Sequence, residues 1–180
     1  MRKIILYAAQ SLDGYIAEPD GSIGFLDVFN EPDGSDHGYA EFMNTIDTTL
    51  MGNNTYQQVL GFDMPFPYKN LENFVFTRNS EKKRDENVMF VNHDPVQFVG
   101  KLKKEKGKNI WLVGGEEINT LLLGSGMIDE LLLFVAPVFL KEGIPLFSNW
   151  PRGLKINPLN SEIFPSRIIM LHYQVKNFER

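Results

Sequence analysis

The stretch Ile110-Trp111-Leu112-Val113-Gly114-Gly115-Glu116-Glu117-Ile118 constrains the fold of this chain more than any other. An apolar strand runs into two glycines without a spacer, and a helical pattern begins at once. A strand delivered straight into a helix calls for glycine where the backbone turns with positive φ. Repeated strand–helix units of this kind build a parallel α/β sheet. The junction also has a chemical side. Glycine lets a ligand reach the backbone, and the first turn of the new helix offers N–H groups to an anion such as a pyrophosphate. A tight turn without any ligand would use the same residues, so this segment alone leaves both readings open. Glu116 and Glu117 suit the helix dipole but would repel a phosphate set directly on their side chains.

The rest of the chain continues the alternation. Lys3 to Ala9 is apolar on both faces, as a central strand should be. A turn at Ser11-Leu12-Asp13-Gly14 precedes an extended run, Tyr15 to Ala17. Pro19 to Gly38 is a long loop rich in Gly, Pro, Asp and Asn, of the kind that carries function. Helices are expected over Tyr39 to Ile46 and over Thr55 to Leu60, the second capped by Asn53 or Asn54. Thr48 to Met51, Asn73 to Thr77 and Val88 to Val91 are strand-like. Asp94-Pro95 starts a helix that runs towards Gly107, with lysines 101, 103, 104 and 106 on a solvated face. Ile118 to Leu123 is helical, and Asp129 to Val138 is a strand. Leu154 to Phe164 and Arg167 to Val175 suggest an antiparallel hairpin. The expectation is one domain over residues 1–180, with a mostly parallel mixed sheet and an antiparallel edge.

Composition narrows the function. The chain has 180 residues, no cysteine and a net charge of −5. Thiolate chemistry is excluded, and the acidic balance argues against a nucleic-acid partner. The apolar run Leu131 to Leu140 is about half of what a membrane helix requires. Ile4 to Ala9 reads as a buried strand rather than a signal core, so a cytoplasmic protein with no membrane partner is expected. His37, His93 and His172 lack metal-ligand spacing, and a metal at Asp33, Asp36 and His37 is not expected.

Two further junctions resemble the first. In Leu50-Met51-Gly52-Asn53-Asn54-Thr55-Tyr56, glycine again ends a strand and capping residues follow. In Phe76-Thr77-Arg78-Asn79-Ser80, arginine and a hydroxyl stand where a phosphate monoester could be bound. Ligands of open α/β sheets sit at such strand ends. Neither Gly-x-Gly-x-x-Gly nor Gly-x-x-x-x-Gly-Lys occurs.

The order and spacing of these junctions resemble the dihydrofolate-reductase-like superfamily. Within it, the sequence is most similar to small stand-alone bacterial proteins related to the C-terminal reductase domain of the bifunctional riboflavin-biosynthesis deaminase/reductase. Other landmarks are Ser11 to Ala17, Asp47-Thr48, Ile128 to Leu131, and Pro137 with Gly143-Ile144-Pro145-Leu146-Phe147. The resemblance implies a three-layer α/β/α fold and a reductase using NADPH, with NADH possible. It implies that Gly114, Gly115 and Glu116, Glu117, Ile118 form the pyrophosphate loop. Gly52, Asn53, Asn54 and Thr55 match a second phosphate-contacting helix start. Thr77 and Arg78 match the site beside the adenosine ribose, and Ala9, Ile16 and Ala17 flank the nicotinamide. Relatives often carry arginine where this chain has Asn53, and a third glycine where it has Glu116.

On the substrate side, folate reductases have a Leu-Pro-x-Asp or Glu segment before the first long helix. Here the region reads Asn30 to Gly38, leaving Asp36 and Glu41 as candidate proton donors, or as a helix cap and a surface charge. The expected activity is hydride transfer to a small heterocyclic or carbonyl substrate by a homodimer. The alternatives are a specific pteridine or ribosylaminopyrimidine reductase, or a non-catalytic nucleotide-binding module.

Overall fold

A computed structural model of the chain describes residues 1–29, 35–149 and 153–176. The long strands are β1 (Ile4–Ser11), β3 (Ile46–Gly52), β4 (Glu72–Phe76), β6 (Asn109–Gly114), β7 (Glu130–Ala136), β9 (Ile156–Ile163) and β10 (Ile169–Val175). Three short ones are β2 (Tyr15–Ala17), β5 (Met89–Val91) and β8 (Ile144–Pro145). The helices are α1 (Tyr39–Asn44), α2 (Asn53–Leu60), α3 (Pro95–Leu102) and α4 (Glu116–Gly124), with a 3-10 helix over Gly24–Phe29 in the long loop.

Eight strands form one sheet in the order β5-β4-β3-β6-β1-β7-β10-β9, and β2 pairs with β8 beside it. The pairings from β5 to β7 are parallel, and β10 is antiparallel to β7 and β9. Strand alternation sorts side chains onto two faces. Leu6, Leu50, Phe74 and Leu112 meet Val99 and Leu102 of α3 and Ile118 and Leu122 of α4. On the other face Met51 and Val75 meet Tyr56 and Val59 of α2, while Ile5 and Trp111 meet Phe42 of α1. This is the three-layer α/β/α arrangement expected, with the antiparallel C-terminal hairpin in place.

Several boundaries differ from expectation. The first helix stops at Asn44, because Thr45 turns its hydroxyl back onto the Phe42 carbonyl at 2.7 Å and Ile46 opens β3 with its side chain buried. The second helix begins at Asn53 itself, with Gly52 at the cap position and no side-chain cap. The third is capped by Asp94 as expected, at 2.9 Å from the Val96 N–H, but ends at Leu102. Lys103 is therefore not on a solvated face. It is buried, and its ammonium meets Asp129 Oδ2 at 2.6 Å and the Met127 carbonyl at 3.0 Å. Of the segment read for a proton donor, residues 30–34, Asp33 among them, lie outside the described residues.

Candidate functional site

The parallel registers bring the carboxyl ends of β3 and β6 side by side, Met51 opposite Gly114, with Gly52 opposite Phe76 of β4. The chain therefore starts α2 and α4 from neighbouring points, each without a side-chain cap, so unpaired first-turn N–H groups gather at one place. The two junctions are fastened together. The Gly115 N–H donates to Thr55 Oγ1 at 3.0 Å. A Cβ on Gly115 would lie 2.9 Å from that oxygen, so only glycine leaves room for the bond. Gly114 has φ +122, which a side chain would strain.

Beneath Gly114 lies Asn119, 1% exposed. Its Nδ2 donates to the Leu146 carbonyl at 3.3 Å, while its Oδ1 finds no partner among the described residues. An orphaned buried acceptor costs about 1–3 kcal/mol, so its presence asks for a donor. Leu146 is also bonded through its N–H to the Gly14 carbonyl at 2.9 Å. That ties the β1–β2 turn to the glycine junction. Asp13 secures the same turn, accepting from the Ser11 hydroxyl at 2.6 Å and the Lys141 N–H at 2.8 Å.

The expected site residues fall into three groups. Gly52, Thr55, Gly114, Gly115 and Ile118 come together: a Cβ on Gly52 would stand 3.9 Å from the Gly114 carbonyl and 4.0 Å from Ile118 Cγ2. Asn53, Asn54, Thr77, Arg78, Glu116 and Glu117 surround them. Thr77 and Glu116 are half-buried, Asn54 is exposed, and Arg78 pairs with Glu117 at 2.7 Å. Ala9, Ile16 and Ala17 lie along β1 and β2. Ala17 is buried, Ala9 packs near Phe134, and Ile16 packs against the core beneath α4.

Asp36 and Glu41, at the entry to α1 and within it, form the third group. Asp36 is exposed and accepts the Ala40 N–H at 2.9 Å and the Gly38 N–H at 3.0 Å. These bonds, Ala40's first, hold its carboxyl below the usual carboxylate range. It caps the entry to α1 as an anion, and an anion is a poor general acid. Glu41 is exposed on α1.

Sequence reasoning missed an aromatic floor between β1 and α1. Tyr7 stacks on Phe42 at 4.3 Å between ring centroids and meets Phe134 at 4.8 Å and Trp111 at 5.7 Å. Burial first, then the charges of Tyr39 and Asp36, raise the Tyr7 pKa, so its phenol stays neutral. His37 is buried beside Phe164 and bonds to Ser166 Oγ at 3.1 Å. Asn119 was also missed, although a lone amide in an apolar helix just after two glycines is a readable signal. Lys82 was missed too. Its ammonium reaches Asn53 Oδ1 at 3.4 Å and sits 5.2 Å from the Phe90 ring centroid.

No helix among the described residues is long and apolar enough to cross a membrane. The family model of the RibD C-terminal domain matches residues 2–170. The uncharacterised protein YwjB of Bacillus subtilis is 41% identical over 172 residues, covering 96% of this chain and 97% of that protein. A crystal structure of a Shewanella sp. PV-4 protein proposed to act in riboflavin biosynthesis superposes with a TM-score of 0.86 at 28% identity, covering 97% of this chain and 99% of that one. Dihydrofolate reductase from Enterococcus faecalis, complexed with NADP(H), superposes with a TM-score of 0.68 at 15% identity, covering 97% of each chain. At that identity the likeness concerns the fold, and the fold is the one assembled above. With the family model spanning most of the sequence, the chain belongs to the RibD C-terminal domain family, a reductase-type family of dihydrofolate-reductase-like fold.

Proposed function

We propose that the protein is an NAD(P)H-dependent reductase of a small heterocyclic or carbonyl substrate. The observation that carries this reading is the fastened pair of junctions, Gly115 N–H on Thr55 Oγ1 at 3.0 Å, which sets two uncapped helix starts at adjacent strand ends. The residues present fit a dinucleotide. The first turns of α2 and α4 suit the two charges of a pyrophosphate. Gly115 leaves its backbone approachable, and the buried Asn119 beneath Gly114 holds the junction to Leu146.

In this reading Gly52 to Thr55 and Gly114 to Ile118 hold the phosphates, and Thr77 and Arg78 face the adenosine end. Ala9, Ile16 and Ala17 give an apolar wall that keeps water from the reacting ring. When bound, the reduced nicotinamide supplies the hydride. Asp36 is already ionised and serves as a helix cap, so the accompanying proton is assigned to water. The neutral phenol of Tyr7 stands ready to orient a substrate over the aromatic floor.

Titration with NADPH and with NADH, followed by nucleotide and tryptophan fluorescence, tests the cofactor. Saturable binding of at least one is expected. Absence of saturable binding by both would overturn the reading. Saturable binding without turnover of any carbonyl, pteridine or ribosylaminopyrimidine substrate would favour a nucleotide-binding module instead.

A further inference from the structure

The sequence from Ile4 to Tyr68 holds ten of the 23 acidic residues and none of the 18 lysines and arginines. That stretch supplies β1, the long loop and α1, which meet at the aromatic floor through Tyr7, Phe29 and Phe42. Two of the ten acids have structural partners: Asp47 pairs with Arg2, and Asp13 ties down the β1–β2 turn. Glu31 and Asp33 lie outside the described residues. Three others stand on the elements that frame the floor. Asp27 is exposed on the 3-10 helix, whose Phe29 reaches Phe134 at 6.3 Å between ring centroids. Asp36 and Glu41 are exposed at the entry to α1 and within it. None of these three is in an ion pair with another described residue.

A phosphate brought to the floor would find the start of α1 already taken, because Asp36 accepts the Gly38 and Ala40 N–H groups. The glycine junctions are the opposite case, with two helix starts uncapped. Of the basic side chains on the segments that meet the floor, His37 is buried and bonded to Ser166 Oγ at 3.1 Å, and Arg167 is exposed in the turn after Phe164. The charge of Asp36 is felt as far as the Tyr7 phenol. A cleft framed by one sign of charge repels a ligand group of the same sign.

We propose that the substrate on the aromatic floor is a planar heterocycle bearing no phosphate or carboxylate group, and that Asp27, Asp36 and Glu41 act against anionic analogues. The inference rests on the reductase reading above and names its substrate class. The chain then keeps its two binding tasks apart: anionic groups belong at the glycine junctions, and an uncharged or cationic ring belongs on the floor.

Two pairs of fluorescent planar heterocycles, each matched but for one anionic group, supply the test: pterin with pterin-6-carboxylate, and riboflavin with riboflavin 5′-phosphate. Dissociation constants are measured by fluorescence titration at low and high salt, with the dinucleotide end filled by saturating NADP+, or by NAD+ where that one binds. At least one neutral member is expected to bind saturably, with its anionic partner about tenfold weaker at low salt and the gap narrowing at high salt. The variant Asp36→Asn/Glu41→Gln keeps a capping side chain at Asp36, and thermal melts confirm that it is folded. It should tighten the anionic members about threefold and leave the neutral ones within about 1.5-fold. Arg167→Gln should leave both constants unchanged. An anionic member that binds as tightly as its neutral partner, a gap untouched by the double variant, a selective loss of the anionic member in Arg167→Gln, or no saturable binding by any of the four overturns the proposal and leaves the cofactor reading standing. No saturable binding of either dinucleotide overturns both.

Discussion

At the amino ends of the parallel strands, Arg2, Lys3 and Lys103 each end on a carboxylate. Arg2 bonds to Asp47, to Thr48 Oγ1 at 2.6 Å and to the Lys108 carbonyl at 2.7 Å. Glu130 closes on Lys3 at 2.7 Å and on His172 at 2.9 Å. Asp129 takes Lys103 at 2.6 Å and the Ile4 N–H at 2.7 Å. At the carboxyl ends the polar groups are left open: two helix starts without caps, an orphaned Asn119 Oδ1, and Lys82 against a neutral amide. One sheet thus carries a closed end and an open end. Removing one partner of a pair at the closed end is costly, because it leaves the other charge uncompensated. Polar groups held without partners are a cost that a ligand can remove, and binding sites are where such costs are found.

The comparison breaks most visibly at Arg2. Its side chain is buried, and Arg2→Met removes the donor to Thr48 Oγ1, to the Lys108 carbonyl and to the half-exposed Asp47, which should cost about 1–3 kcal/mol in chemical denaturation. Nucleotide affinity should be unchanged. Substitution at the open end should act on binding. Asn119→Leu removes the orphan at nearly constant volume, but it also removes the donor to the Leu146 carbonyl. The two changes should offset to within about 1 kcal/mol in denaturant melts, while loss of the tie to the β1–β2 turn weakens nucleotide binding about tenfold. A loss of stability with unchanged binding would make Asn119 a structural residue only.

A smaller effect separates the two ends by pH. Burial pushes Glu130 up, but the Lys3 and His172 hydrogen bonds outweigh it, leaving its carboxyl below 4.5. A carboxyl whose folded pKa is depressed contributes stability above its unfolded value, and that contribution fades as pH falls through the folded value. Stability should therefore decline below about pH 4.5, and Glu130→Gln should flatten that decline in urea melts across pH 3 to 6. The smallest effect is expected at the Arg78–Glu117 pair. Both side chains are largely exposed, and Glu117→Gln should move stability by less than about 0.5 kcal/mol in the same melts.

The parts legible from sequence are those whose reason is local. Gly114-Gly115 declares itself because a backbone at φ +122 excludes other residues, and Asp94-Pro95 because a cap and a proline need only their own helix. The hairpin is visible in its strand alternation around Phe164-Pro165-Ser166. The parts that were not legible depend on what lies across the fold. Lys103 looks like one more solvated lysine until Asp129 arrives beneath it from β7's edge. Asp36 reads as a helix cap or as a proton donor, and the capping bonds appear only with the Gly38 and Ala40 N–H groups set on its oxygens. Lys82 gains meaning only because the β4–β5 loop returns to Asn53, and Tyr7 only because Phe42, Trp111 and Phe134 surround it.

The central claim is that the open end of the sheet is the ligand end. Amide hydrogen exchange of wild type with and without saturating NADPH tests it directly. The account predicts added protection at the first turns of α2 and α4, from Gly52 to Tyr56 and from Gly114 to Asn119, and none at Arg2, Asp47, Lys103 or Asp129. Protection at the amino-end charges, or unchanged exchange at both glycine junctions under saturating nucleotide, would contradict it.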